Sequence, residues 1–256
     1  MMPTFVIARG RAQRLPVALC EVVAGCWARL LLVPVVMLAT LLLPGVDARA
    51  APDCRSAAAP NVDWRECDKN NIILRGADLQ GAALSGTDFM TTDLRDANLT
   101  VAVLEKATLV RASLAGAKAQ SANFDRVEAY RTNFSRMIGE GATFASAELQ
   151  RANFEGALLQ GVHFEKSELG RANFGGADLT GARFGLANLS RADLRGTRIG
   201  GVDFARAFLF LTRLEGLDLS DATGLEQAQI ELACGDADTR LPEGLTAPAA
   251  WPCAFD

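Results

Sequence analysis

From Leu74 to Leu219 every fifth residue is Leu, Phe or Ile, with three exceptions: Ala119, Ala129 and Gly139. The register holds over (219 − 74)/5 + 1 = 30 positions. Two residues before these positions there is usually a small residue, most often Ala, as at Ala77, Ala82, Ala97 and Ala102. Between the two is often Asp or Asn, as at Asp78, Asp88, Asn98 and Asn123. The unit is Ala-(Asp/Asn)-(Leu/Phe)-X-X. A period of five fits neither the helical 3.6 nor the strand 2. It fits a chain that turns after each short extended step, sending the Leu/Phe position and the small residue inward every time. The other three residues face out or form the corner, where Gly, Asn and Asp are expected because they tolerate unusual backbone angles.

Runs such as Ala152-Asn153-Phe154, Ala172-Asn173-Phe174, Ala177-Asp178-Leu179 and Ala192-Asp193-Leu194 resemble the pentapeptide-repeat family, over residues 74–221. The resemblance implies an all-β fold, a right-handed quadrilateral parallel β-helix with four repeats, or 20 residues, per coil. The sequence carries the 20-residue period independently. Arg111, Arg131, Arg151, Arg171 and Arg191 recur at that interval, as do Asn133, Asn153 and Asn173, and Glu128, Glu148 and Glu168. Phe124, Phe144, Phe164, Phe184 and Phe204 form one inner column, and Phe134, Phe154 and Phe174 part of another. Coils stacked at the inter-strand spacing give a rod of about 36 Å. The rings of Phe124, Phe134 and Phe144 are expected to fill the volume that Ala119, Ala129 and Gly139 vacate, since cores are close-packed.

Both ends of the body are non-repetitive. Residues 1–50 read as a signal peptide: Arg9, Arg11, Arg14 and Arg29 precede an apolar run from Leu30 to Leu43, and Ala48-Arg49-Ala50 has the small-X-small form of a cleavage site. Cleavage after Ala50 makes the protein periplasmic or secreted. The alternative, a membrane anchor, needs about 20 apolar residues, and this run is short and contains Pro34. A second alternative is lipidation at Cys26, in Val23-Ala24-Gly25-Cys26, so membrane contact is expected only through an uncleaved leader or a lipid anchor. Residues 51–73 are expected to form an N-terminal cap with Trp64 as plug of the open first coil. Residues 222–256 are expected to form a C-terminal cap, with a short helix over 224–234 presenting Leu225, Ala228 and Leu232 on one side.

Without residues 1–50, Lys+Arg falls from 26 to 21 and Asp+Glu from 30 to 28, so the net charge becomes 21 − 28 = −7. The body is nearly neutral, and most of the excess lies in the tail. Four cysteines remain, Cys54, Cys67, Cys234 and Cys253, two on each side of the body. In an exported chain they read as disulfides, with three possible pairings. Cys54–Cys67 and Cys234–Cys253 are favoured, because the ends of a rod of about 36 Å cannot bring Cα atoms within about 7 Å. A zinc site of four thiolates is opposed by the same distance and by the absence of a tight Cys-x-x-Cys spacing.

The most distinctive surface feature is the column Arg111 to Arg191. Its five charges need relief, and Glu128, Glu148 and Glu168 each stand three residues before one of them. A solvated Glu/Arg ladder is the expected arrangement; a docking strip for an anionic polymer or an acidic protein is the alternative. Phe208, Phe210 and Leu211 interrupt the outward pattern, and the tail is expected to cover them, with a partner-binding patch as runner-up. His163 is the only histidine, no nucleophile–base constellation is discernible, and a regular coil offers no deep pocket. The chain is therefore expected to be a non-enzymatic, exported scaffold or protein-interaction module without cofactor, its partner unknown. Some proteins of the resembled family mimic DNA and bind type II topoisomerases; that alternative needs a strongly acidic face and a cytoplasmic location. Nucleic acid is not an expected partner of the balanced body. A small-molecule hydrolase or binding protein is a third alternative with no visible site.

Overall fold

The computed structural model describes residues 51–253; the expected leader and the lipidation alternative at Cys26 lie outside the described residues. In each repeat the residue before the inward position pairs in parallel with the residue 20 later, as in Asn133↔Asn153↔Asn173 and Thr143↔His163↔Arg183. This register runs unbroken in spacing from Asp63 to Thr223, (223 − 63)/20 = 8 turns. At the usual inter-strand distance that is about 38 Å of stacked coils. The body is a four-sided parallel β-helix whose faces each contribute a single paired residue per turn, so no long strand forms.

The corner geometry explains the repeat. The inward residue's carbonyl accepts from the N–H three residues on, as in Ala107 N–H to Leu104 C=O at 2.8 Å. The second residue after the inward position has a positive φ, +62° at Lys106 and +63° at Gly156. This is a type II turn, which favours Gly at that position. Asp and Asn of the unit have another role than expected. They stand on the flat face, and their side-chain oxygen accepts the N–H two residues on: Asp88 from Met90 at 2.8 Å, Asn153 from Glu155 at 3.1 Å, Asp193 from Arg195 at 3.1 Å. A short polar side chain thus holds each corner from outside.

The core is a continuous column of buried Leu, Phe and Ala. Phe124, Phe144, Phe164, Phe184 and Phe204 stack along one face at centroid distances of 4.6, 5.2, 5.1 and 5.5 Å. Phe134, Phe154 and Phe174 stack on another face at 4.8 and 5.0 Å and meet the first column edge-on. At Gly139 the vacated space is filled from its own repeat. A Cβ there would stand 2.8 Å from Met137 Cε and 3.1 Å from Leu159 Cδ2. Met137 occupies the position usually held by Ala, and Val127 does the same before Ala129. Large and small have exchanged places within the repeat, where the phenylalanines alone were expected to compensate.

The coil geometry also begins earlier than the Leu/Phe pattern. Trp64 is buried on an inward position, and its N–H bonds Ala83 C=O at 2.9 Å. Its indole donates to Ser56 Oγ at 2.9 Å, and Lys69 Nζ lies 3.8 Å from its ring centre. Lys69, the next inward residue, reaches the open end and donates to Cys54 C=O at 2.8 Å. Cys54 is bonded to Cys67, with Cα atoms 5.4 Å apart. On the neighbouring side Ile73 is left 81% exposed.

At the other end helix α1, Gln227–Leu232, crosses the last coil. It buries Gln229 and Ile230, while Ala228 and Leu232 face out, so of the apolar face expected from Leu225, Ala228 and Leu232 only Leu225, just before the helix, packs on the core. The reason is polar. The last coil ends in carbonyls that need donors, and Gln229 Nε2 donates to Phe204 C=O at 2.9 Å and Ala207 C=O at 2.8 Å. Its oxygen accepts Glu226 N–H at 2.7 Å, closing the helix start. Cys234 is bonded to Cys253, Cα atoms 5.5 Å apart, and Trp251 donates to Ala233 C=O at 2.7 Å.

Candidate interaction surface

Arg111, Arg131, Arg151, Arg171 and Arg191 occupy one corner, each on the positive-φ turn position (+57° to +60°), where Gly is the usual solution. All five are exposed. The turn projects them from the edge between two faces. The Glu/Arg ladder expected from the sequence does not form: none of the five makes an ion pair among the described residues. Glu168 instead accepts from Asn188 Nδ2 at 2.8 Å. The face residue and the turn residue diverge at the corner, which separates Glu128 from Arg131 although only three residues lie between them. The contact of this column that does form is Arg131 over the ring of Tyr130, at 5.1 Å. Pairs form elsewhere, where Asp and Arg share one repeat: Asp93–Arg95 at 2.5 Å and Asp193–Arg195 at 2.6 Å. The side-chain hydrogen bond from Arg95 holds the Asp93 carboxyl down at about 2.

One turn apart, the five guanidinium stems follow each other at about 4.8 Å. Neighbouring charges at that distance repel by about 1 kcal/mol in water. On one side of the column is the half-exposed ladder Asn133, Asn153, Asn173, with Asn173 Nδ2 donating to Asn153 Oδ1 at 3.1 Å. On the other are the exposed Glu128, Glu148 and Glu168.

The column continues into Leu211, which with Arg171, Arg191 and Arg213 lines a cavity of about 260 Å³. Beside it Phe208 and Phe210 are 49% and 40% exposed, their rings near-parallel with centroids 6.3 Å apart. The tail was expected to cover this cluster. It covers only Leu211, whose N–H bonds Leu232 C=O at 2.7 Å, because α1 turns toward the coil's open carbonyls and passes beside the two rings. His163 sits on a flat face, half-buried, and no group of three or more His, Cys, Asp or Glu that could hold a metal occurs among the described residues.

A larger cavity, about 520 Å³, lies where residues 196–200 part from 216–221. The inter-coil bonds that the register calls for at Ile199, Gly201 and Asp218 N–H are absent there, while Leu219 N–H pairs onward with Arg240 C=O at 2.8 Å. Sequence reasoning did not find this seam, since the Leu/Phe register crosses it without a slip.

Comparison with known proteins agrees with the repeat. The family model for pentapeptide repeats matches in 8 copies, over residues 72–109, 92–136, 147–185 and 187–223. No curated protein matches the chain. Among solved structures, the chain is similar to HetL, a pentapeptide repeat protein of the cyanobacterium Nostoc sp. strain PCC 7120. The identity is 26%, over 72% of this chain and 91% of that one, with a TM-score of 0.33. It is also similar to QnrB1, a plasmid-mediated fluoroquinolone resistance protein, at 17% identity over 72% and 85%, TM-score 0.44. The internal register and the family match, which together span the coils described above, establish that the chain belongs to the pentapeptide-repeat family.

Proposed function

We propose that the protein is an exported, non-catalytic interaction module that docks an anionic partner along its arginine corner. The observation that carries this reading is the set of five exposed arginines, evenly stacked and without an ion-pair partner among the described residues. A structural ladder would pair them; here the repulsion is left standing, and an anionic ligand relieves it. The two end disulfides support the export part, because such bonds persist in oxidising compartments. The right-handed sense of the coil belongs to the same reading, since parallel crossovers take that hand. The DNA-mimic reading taken from the family needs an acidic face, and this corner has the opposite sign.

Two measurements test the proposal. Intact mass of material recovered from the native host should show a chain starting at Ala51 with no free thiols; a full-length species with free thiols contradicts export. Immobilised poly-L-glutamate should retain the wild type at low salt and release it as salt rises. The variant with all five arginines replaced by Gln should pass through. Equal retention of the two would remove the corner from the function.

A further inference from the structure

We infer that the N-terminal end of the coil joins a second copy of this chain through Ile73, closing a two-fold dimer. The parallel ladders start at four residues, one on each face: Asp63, Asp68, Ile73 and Asp78. Below them the first coil ends in an edge. On three faces that edge carries a carboxylate, a device by which sheet edges resist pairing with another chain. On the fourth it carries an isoleucine that is 81% exposed. The rest of that column is polar, from Asp93, Ser113 and Asn133 up to Arg213. The cap leaves this face bare. Cys54 is bonded to Cys67 and accepts from Lys69, and Ser56 accepts from Trp64, so residues 51–56 close the interior beneath the faces of Asp63 and Asp68. Beside Ile73, Ile72 stands in a small-residue slot 37% exposed, and Leu74 is only half-buried.

The backbone of this edge is complementary to itself. Ile72 C=O and Leu74 N–H point up the rod, to Asp93 N–H at 3.0 Å and Asp93 C=O at 2.8 Å. The N–H and C=O of Ile73 point the other way and have no partner among the described residues. Two residues that face each other in an antiparallel pair exchange both bonds. A two-fold axis through Ile73 therefore satisfies all four groups with one residue from each copy, and brings the two isoleucine side chains together. A foreign strand draws its affinity from a run of main-chain bonds, and this edge offers one residue. A second copy adds the apolar contact and a charge match. The exposed Asp68 and Arg75 stand on opposite sides of Ile73, and an isologous contact brings one to the other, so Arg75 of each copy comes toward Asp68 of its mate. Asp78 comes to the same side, with Arg75 between it and that aspartate. Arg75 holds Asp96 through Nε and Nη2, which leaves Nη1 for this contact. At the far end of the face Cys234 pairs with Arg213 and is buried, so no second edge is open and assembly stops at two. One edge and its flanks bury well under the roughly 800 Å² per partner of a standard interface, so the dimer is a concentration-dependent one.

The test is sedimentation equilibrium of the oxidised protein recovered from its host. Its mass should rise with concentration from one chain to two, with a midpoint between about 10 and 500 µM. Ile73→Lys should stay monomeric throughout and keep the circular dichroism and dilute-solution melting temperature of the wild type, because the side chain it replaces is exposed. F208S/F210S, which alters the other exposed apolar pair, should dimerise as the wild type does. In Ile73→Cys the facing Cα atoms would stand about 5.5 Å apart, within disulfide reach, so this variant should oxidise to a covalent dimer with both native disulfides intact in each chain. A wild type that stays monomeric at the highest concentration, or that grows past two copies, overturns the inference. So does an Ile73→Lys variant that dimerises like the wild type, or an Ile73→Cys variant that remains a single chain with a free thiol. Loss of the dimer in F208S/F210S with Ile73→Lys unaffected moves the contact to the other end of the rod and overturns it as well.

Discussion

At the scale of the residue, the repeat divides its labour among five positions. The inward Leu or Phe and the small residue two before it make the core. The Asp or Asn between them ties the next corner through its side-chain oxygen. The turn residue must accept a positive φ, which is where glycine is an asset and where the five arginines bear a backbone cost of about 1–2 kcal/mol each. Glycine is indispensable where space is also lacking. At Gly224, φ is +70° and a Cβ would stand 2.6 Å from Ala205 Cα, a backbone neighbour that cannot give way. Gly224→Ala should therefore lower the stability measured by denaturant unfolding by about 1–3 kcal/mol. Asp93 carries a pH dependence. Its carboxyl titrates at about 2 in the folded protein because Arg95 hydrogen-bonds the charged form. The folded value lies below the ordinary one of about 3.9. Its contribution is thus present above about pH 4 and lost as the pH falls toward 2. Exposed pairs of this kind contribute about 0–1 kcal/mol. Asp93→Asn should show a shallower loss of melting temperature between pH 4 and 2 than the wild type; an identical acid limb would contradict it.

At the scale of the element, each coil is supported only by its neighbours, so a defect is felt locally and directly. Phe144 stacks on Phe124 and Phe164 and meets Phe134 and Phe154 edge-on. Phe144→Ala should cost about 3–5 kcal/mol, near the top of the range because four rings lose a partner. A loss under about 1 kcal/mol would mean the column can collapse around the gap. The coil body was legible in the sequence because Leu, Phe and Ala repeat without a slip. Its true start was not, because Trp64 and Lys69 stand on inward positions without looking like Leu or Phe, and only the end of the rod lets an ammonium occupy one. The exchange of Met137 for Gly139 was hidden because a period-five reading looks at one position of the unit at a time. The face of α1 misled because apolar periodicity predicts burial of leucine, whereas the open coil needed an amide donor and took Gln229. The disulfides were legible from distance alone, since the rod separates the two pairs.

At the scale of the whole molecule, the core runs along the axis of the rod, and the arginine corner proposed for docking runs along its outside. The positions of the five arginines were readable from their 20-residue interval; their freedom from the glutamates was not, since three residues of sequence separation hides a corner. The seam between residues 196–200 and 216–221 was equally invisible. It should be the weak point of the coil wall. Amide exchange at Ile199, Gly201 and Asp218 should be much faster than at Leu159, Gly161 and Asp178, two turns away, which keep their inter-coil bonds of 2.8–2.9 Å. Equal protection would mean that the seam closes in solution. The decisive question is whether the arginine corner holds the rod together or holds something else. Thermal unfolding of the wild type and of the variant with Gln at all five arginines, each with and without poly-L-glutamate, answers it in one experiment. A ligand that binds the folded state raises its melting temperature. The polyanion should raise that of the wild type and leave the variant unmoved, and the variant alone should melt within about a degree or two of the wild type, since it loses the column's repulsion together with one exposed Arg131–Tyr130 contact. A variant that melts several degrees lower, with the polyanion shifting both proteins alike, would show that the column is structural.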